Sequence, residues 1–362
     1  MKEENNLTAQ ASKVDYWSFF SREAKRGHSP LYEHLAAGIG ETPELQAMAS
    51  HVKKGQPPAN ILLGSVHYLL LGGQDHPLAD HYPSVRPQAR PMGDAFPLFK
   101  EFCLTFQARL MPLIEARITN TNEVARSTTL YPAFDFIARE TNSPLHLIEI
   151  GPSAGFNLNW DRYRYSYLRD GRNVARRGPS QSKLHLTAEL RGDLTPPLGE
   201  DLPRVASRVG LELNPVDLGR PEDRQWLKAL IWPEHAQRHA RLDGAIAEAL
   251  AHPQRIRVGD ALVSLPDEIE ATPGDGAVVV YHSHVTYQFS EAMRAQLNET
   301  LTSLSHKRPI YRVSIEWDGA FLKTSEGNYP INVGLYENGR DVSKRTVAFG
   351  DPHGAWIEWK QS

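Results

Sequence analysis

The spacing of apolar residues changes once along the chain, at Thr141-Asn142-Ser143-Pro144, and that change sets what each half can become. Before it, apolar residues recur at three and four, as in Tyr16, Phe19 and Phe20, in Ile61 to Leu71, and in Phe99, Phe102, Phe106, Leu110 and Leu113. That period belongs to helices with one buried face. Ser29-Pro30, Pro57-Pro58, Gly72-Gly73 and Pro91 to Asp94 punctuate it as helix boundaries. After the change, short apolar runs alternate with amphipathic stretches, the pattern of strands joined by crossover helices. The expectation is an all-α N-terminal domain over 1–142 and an α/β domain with a mostly parallel sheet over 143–362.

The strands expected in the second half are Leu145–Ile150, Val209–Leu213, Arg255–Val258, Ala277–His282 and Pro309–Glu316, with further ones near Ile331–Tyr336 and Ala355–Trp359. Most are rich in β-branched residues, which suits strands buried on both faces. Helices are expected around Leu227–Ile231, His235–Leu250 and Glu291–Leu304. Alternating Tyr163, Tyr165 and Tyr167, then Asp170-Gly171, then Leu184 and Leu186 read as a β-hairpin inserted over about 163–203.

Composition narrows the function classes. The 362 residues carry 40 Lys+Arg against 43 Asp+Glu, a formal net charge of -3, so no global positive field draws in DNA. Cys103 is the sole cysteine, which excludes an internal disulfide and any multi-cysteine metal site and fits a reducing, cytoplasmic setting. No run is long and apolar enough to span a bilayer, and Met1 to Ser12 reads as polar, without a signal-peptide core.

The chemistry concentrates in Leu147-Ile148-Glu149-Ile150-Gly151-Pro152-Ser153-Ala154-Gly155-Phe156-Asn157, a strand, a small-residue turn and a helix start. Gly151 and Gly155 lack Cβ atoms, so a ligand can approach the backbone, while Ser153, Asn157 and the first helical N–H groups offer polar contacts. Glu149, late on the strand, could receive a ligand amine. Ser153 stands where a dinucleotide fingerprint needs its second glycine, and no Gly-Lys-Ser/Thr follows, so pyrophosphate ligands are disfavoured. The turn resembles the first motif of Rossmann-like methyltransferases, which implies S-adenosylmethionine as cofactor. Glu212 would then end the second strand and accept ribose hydroxyls, and Asp260, with Ala261, would follow the third and meet the adenine. Taken singly, each acid is as readily a solvated strand end or a helix N-cap.

Gly151 to Gly155 also spells Gly-x-Ser-x-Gly, the nucleophile elbow of serine hydrolases, with Asp260 and His282 or His353 completing the order on paper. Against it stand the helical texture before Leu145 and the missing N–H at Pro152.

On the acceptor side, Asn122, Glu123 and Arg126 open a helix and could hold a small-molecule substrate, while His282 and His284 end the fourth strand. His282 or Glu123 is the expected general base, with His284 and Trp160 as substrate contacts. No third ligand stands near the two histidines, so no metal is expected. Arg162, Arg164, Arg169, Arg172, Arg176 and Arg177 make a local basic patch, which as a less favoured alternative could touch RNA, with Trp160, Tyr163 and Tyr165 to stack on bases.

Pro58-Ala59-Asn60-Ile61-Leu62-Leu63, Asp75-His76-Pro77-Leu78-Ala79, Thr121-Asn122-Glu123-Val124, Ile148 through Tyr163, and Leu213-Asn214-Pro215-Val216-Asp217 form a distinctive set. Together they resemble the bacterial domain-of-unknown-function family numbered 2332, over about Tyr16 to Trp359. The resemblance implies a Rossmann methyltransferase-like core behind a helical N-terminal region, and no reaction. A catalytic methyltransferase and a non-catalytic S-adenosylmethionine or nucleoside binder are both compatible with it.

Overall fold

The structure is a computed structural model and describes residues 13–88, 90, 92–119, 123–316 and 329–361. The chain divides into two compact units, one of residues 1–121 with 220–240, the other of 122–219 with 241–362. The division falls at 121/122 rather than at 142/143, and a later segment belongs with the helical unit.

The helical unit holds α1 Lys13–Arg26, α2 Pro30–Gly40, α3 Pro43–Ala49, α4 Pro58–Leu71, α5 Ala95–Thr105 and α6 Gln107–Ala116. Pro30, Pro43 and Pro58 each occupy a first turn, where the missing N–H costs nothing. Leu35, Ile39, Ile61, Leu62, Phe99 and Phe102 form its core together with Trp226. Trp226 comes from α8 Pro221–Ala229, and its indole N–H donates to Ile118 O at 2.8 Å. Arg117 pairs with Asp223 at 2.7 Å. These contacts assign 220–240 to the helical unit. His67 lies inside it, between Ala229 O at 3.0 Å and Ser84 Oγ at 2.7 Å, and burial holds its imidazole down to about 3, so it is a neutral core residue.

The second unit begins with α7 Ser127–Thr141 and β1 Leu145–Ile150. The chain continues through β2 Arg164–Arg169, β3 Arg172–Arg177, β4 His185–Arg191 and β5 Val205–Glu212. After α9 Ala236–Ala251 come β6 Ile256–Val258, α10 Ala261–Glu270, β7 Ala277–Ser283, α11 Glu291–Leu304 and β8 Ile310–Ile315. β9 Tyr329–Glu337, β10 Arg340–Gly350 and β11 Trp356–Trp359 close the unit. The strands form one sheet in the order β3-β2-β4-β11-β10-β9-β8-β7-β1-β5-β6. Pairing is parallel throughout β8-β7-β1-β5-β6 and in β2-β4-β11, and antiparallel elsewhere, so the sheet is mixed and mostly parallel.

Strand alternation sends side chains to two covers. Ile148 and Ile150 of β1, Val209 and Leu211 of β5, and Val278 and Val280 of β7 pack with Leu262, Leu265 and Ile269 of α10 and Leu297 and Leu301 of α11. On the other side, Tyr281 of β7 meets Phe134 of α7 edge-on at 5.1 Å. Helix α7 also touches β4, β8, β9 and β11, which is why it belongs with the sheet despite its helical sequence texture.

The hairpin turns at Asp170-Gly171 as expected, but its return arm is β3 and not the Leu184–Leu186 run: Leu186 lies on β4, which pairs parallel with β2 and with β11 and extends the sheet. Tyr163, Tyr165 and Tyr167 are fully buried, and the hydroxyls of the first two donate to Phe156 O and Trp160 O at 2.5 Å. They offer no stacking surface for bases.

Gly178 ends this hairpin at φ +80°, and a Cβ there would lie 2.0 Å from Tyr163 O. Gly171, at φ +71°, has open space around it. Gly178→Ala is therefore expected to cost at least about 2 kcal/mol, and Gly171→Ala only the left-handed backbone penalty of about 1 kcal/mol. Urea unfolding of the two variants measures the difference.

Candidate functional site

Between β1 and the 3-10 helix Phe156–Arg162 the backbone turns left-handed three times, at Gly151 (φ +70°), Ser153 (φ +53°) and Gly155 (φ +76°). Glycine adopts that conformation freely, and serine does so at a cost. A Cβ on Gly151 would lie 2.6 Å from Val285 Cγ2, and one on Gly155 3.3 Å from Ile256 Cδ1, so both glycines let neighbouring segments close on the turn. Ser153 is held by a carboxylate. Its N–H donates to Glu212 Oε2 at 2.8 Å, and Asn214 N–H donates to Glu212 Oε1 at 2.9 Å. The Ser153 hydroxyl is buried and has no hydrogen-bond partner among the described residues.

The end of β7, the strand beside β1, repeats the device. His284 is left-handed at φ +57°, and its N–H donates to Ile315 O at 2.9 Å. Glu316, just beyond β8, accepts the N–H groups of Val285, Thr286 and Tyr287 at 3.0 to 3.2 Å and that of His282 Nδ1 at 2.5 Å. Burial would raise this carboxyl, but the His282 contact and the backbone donors outweigh it and hold it down to about 2. The His284 ring lies 4.7 Å from that of Tyr329. Its Nε2 is buried without a hydrogen-bond partner, and burial, aided by Arg126, keeps the imidazole neutral, down to about 2.

Several expected roles change. His282 is not a free base: Nδ1 faces Glu316 and Nε2 accepts from Arg312 Nε at 3.0 Å, so both ring nitrogens are committed in a fully buried, neutral ring. The two histidines do not continue one alternating face either, because the strand ends at Ser283 and His284 turns left-handed. Glu149 is not an anion waiting for an amine. It is buried beside its strand neighbour Tyr281, whose hydroxyl donates to Oε2 at 3.0 Å, and burial pushes the carboxyl up to about 8. Trp160 is fully buried and stacked on Tyr131, out of a substrate's reach.

Asn157 is buried and accepts from Ser127 Oγ at 2.8 Å, tying the glycine turn to α7. Glu123 caps the short helix Val124–Arg126 by accepting from Ala125 N, with His353 Nδ1 at 3.7 Å. Arg126 is buried and donates to Pro352 O at 3.0 Å and Ser283 Oγ at 3.1 Å. Asn122 lies outside the described residues.

At the next strand ends, Glu212 pairs with Val258 across β5 and β6, and Gly259 N–H donates to Glu212 O at 2.9 Å. Asp260 caps α10 through Oδ1, which accepts from Leu262 N at 2.8 Å, and Ala261 is the first residue of that helix. Leu213 and Val258 at the ends of β5 and β6 and Val263 in the first turn of α10 are apolar yet 65%, 65% and 69% exposed.

Glu316, Tyr281, Ser283 and this apolar trio had no place in the sequence-based site. Glu316 carried a usable signal, since it ends the expected strand Pro309–Glu316. The described residues hold no group of three or more His, Cys, Asp or Glu arranged to bind a metal ion, and no helix among them is long and apolar enough to cross a membrane.

Residues 15–359 match the model of the family described as "Uncharacterized protein conserved in bacteria (DUF2332)", and the chain belongs to that family. No curated protein and no solved structure matches it.

The protonated state of Glu149 gives a signed prediction. Its folded pKa lies above the ordinary value of 4.5, so its contribution is fully present below pH 4.5 and is lost as pH rises toward 8. Glu149→Gln keeps an acceptor for Tyr281 and cannot ionise. The variant is expected to gain melting temperature over wild type at pH 9 and to match it at pH 4, as thermal melts at both pH values would record.

Proposed function

For this member of the family, we propose that the carboxyl edge of β1, β5, β6 and β7 binds S-adenosylmethionine and that the unit is a methyltransferase acting on a small-molecule acceptor. The observation that carries the reading is the strand order. Counted along the chain, the parallel strands β6-β5-β1-β7-β8 run 3-2-1-4-5, the doubly-wound Rossmann-like order, whose ligands lie beyond the carboxyl ends where the order reverses. The reversal falls between β1 and β7, where the turns carrying Ser153 and His284 emerge.

The side chains suit this cofactor. Leu213, Val258 and Val263 offer apolar contact to an adenine, and the second Asp260 oxygen can accept its amino group. Each Glu212 oxygen accepts one backbone N–H and keeps a lone pair for a ribose hydroxyl. When bound, the cofactor supplies a methyl group activated by its sulfonium. Ser153 Oγ and His284 Nε2, both buried and without partners, would orient the acceptor by hydrogen bonds, so catalysis rests on positioning.

A hydrolase is disfavoured, because Ser153 Oγ has no base in contact and His282 is committed elsewhere. The same commitment of His282 favours, as a second reading, binding without transfer.

Calorimetry with S-adenosylmethionine and S-adenosylhomocysteine tests the proposal. Wild type is expected to bind both. Asp260→Asn, which retains a capping oxygen, is expected to weaken binding about tenfold with an unchanged ligand-free melting temperature. Failure of wild type to bind either ligand at millimolar concentration would sink the cofactor reading. Binding with no S-adenosylhomocysteine formed over any acceptor supports the binding-only one.

A further inference from the structure

At the far edge of the sheet, β2, β3 and β4 present two unlike faces. Tyr165, Tyr167, Ala175, Leu186 and Ala188 point inward and are buried. The alternate positions carry Arg164, Ser166, Arg176, His185 and Thr187, of which Ser166 is largely covered by its neighbours. The register places Arg164 beside His185, and Ser166 between Arg176 and Thr187. Ser166 Oγ and His185 Nε2 lie 2.8 Å apart. Arg164 and Arg176 both depress the His185 imidazole, after the larger effect of burial, so the two guanidinium groups bracket the Ser166-His185 pair.

These charges are not neutralised from within. Neither Arg164 nor Arg176 forms an ion pair with a described carboxylate. The nearest acid in sequence, Asp161, is taken by a two-pronged pair with Arg208 at 2.6 and 2.7 Å. Glu189, on the outer face of β4, accepts from Gly171 N at 3.3 Å, at the turn end of the hairpin. Cations on an edge strand discourage strand addition, which would explain Arg176 on β3. It does not explain Arg164 and His185, which sit on the inner strands β2 and β4.

We propose that this outer face binds a phosphate monoester, with Arg164 and Arg176 as its charged donors and Ser166 and His185 between them. Guanidinium groups match the planar pairs of phosphate oxygens. A monoester fits better than a polynucleotide, because the site spans two rows of residues and the aromatic rings of these strands face the interior, leaving no platform for bases.

The test is to follow the His185 side-chain resonances of the whole chain by NMR while adding inorganic phosphate, with sodium chloride at matched ionic strength as the reference. Phosphate is expected to give a saturable shift and to raise the His185 titration midpoint, since the bound anion offsets both arginines. Arg164→Gln and Arg176→Gln are each expected to weaken phosphate binding about tenfold with melting temperatures unchanged. An equal effect of chloride, or phosphate binding undiminished in both variants, would overturn the proposal. Saturable binding of a single-stranded oligothymidylate without a response to phosphate would overturn it in favour of a nucleic-acid surface.

Discussion

Two carboxylates hold the left-handed turns that follow β1 and β7, in the parallel part of the sheet. Ser153 and His284 are non-glycine residues with positive φ, each following one of the two adjacent strands between which the strand order reverses. Left-handed backbone costs an L-residue about 1–2 kcal/mol. Both are secured in the same way. Glu212, on β5 beside β1, accepts the N–H of Ser153, and Glu316, after β8 beside β7, accepts three N–H groups following His284. Each turn is thus latched from the neighbouring strand, and strain of this kind gathers where a surface is prepared for a ligand.

Beneath the latches the buried Glu149 carboxyl and the two histidine rings are kept neutral. The Glu149 carboxyl is protonated under Tyr281, and the rings of His282 and His284 are uncharged. The carboxylates of Glu212, Glu316 and Asp260 accept backbone N–H groups at the strand ends, and the buried Arg126 guanidinium donates to Pro352 O and Ser283 Oγ. Neutral buried groups and hydrogen-bonded charges together leave these strand ends without an unpaired buried ion, whose cost would be several kcal/mol.

What could be read in the sequence was local. β1 and the Gly151–Gly155 turn announce themselves through β-branched residues and glycines within eleven positions, and the apolar spacing marked α11 at its observed ends. β10 was missed because its first half is polar and exposed, and α10 because it is short and contains Pro266. The fate of His282 was out of reach for another reason: its partners, Arg312 and Glu316, are about thirty positions away and meet it only once β7 and β8 pair. The burial of Glu149 likewise depends on Tyr281, more than a hundred residues downstream. The texture change at Thr141 located β1 well and misplaced α7, since a helix that covers a sheet and a helix in a bundle share one apolar period.

Because both latches reach across from an adjacent strand, the geometry of the two turns is written in the register of the sheet. A parallel ladder that slipped by one residue would carry Glu212 or Glu316 to the opposite face and release the turn it holds. Substitutions deep in β5 or β8 would then loosen these turns as surely as substitutions within them. Inherited variation in this family would on that account be restricted along β5 and β8 as tightly as at the turns themselves.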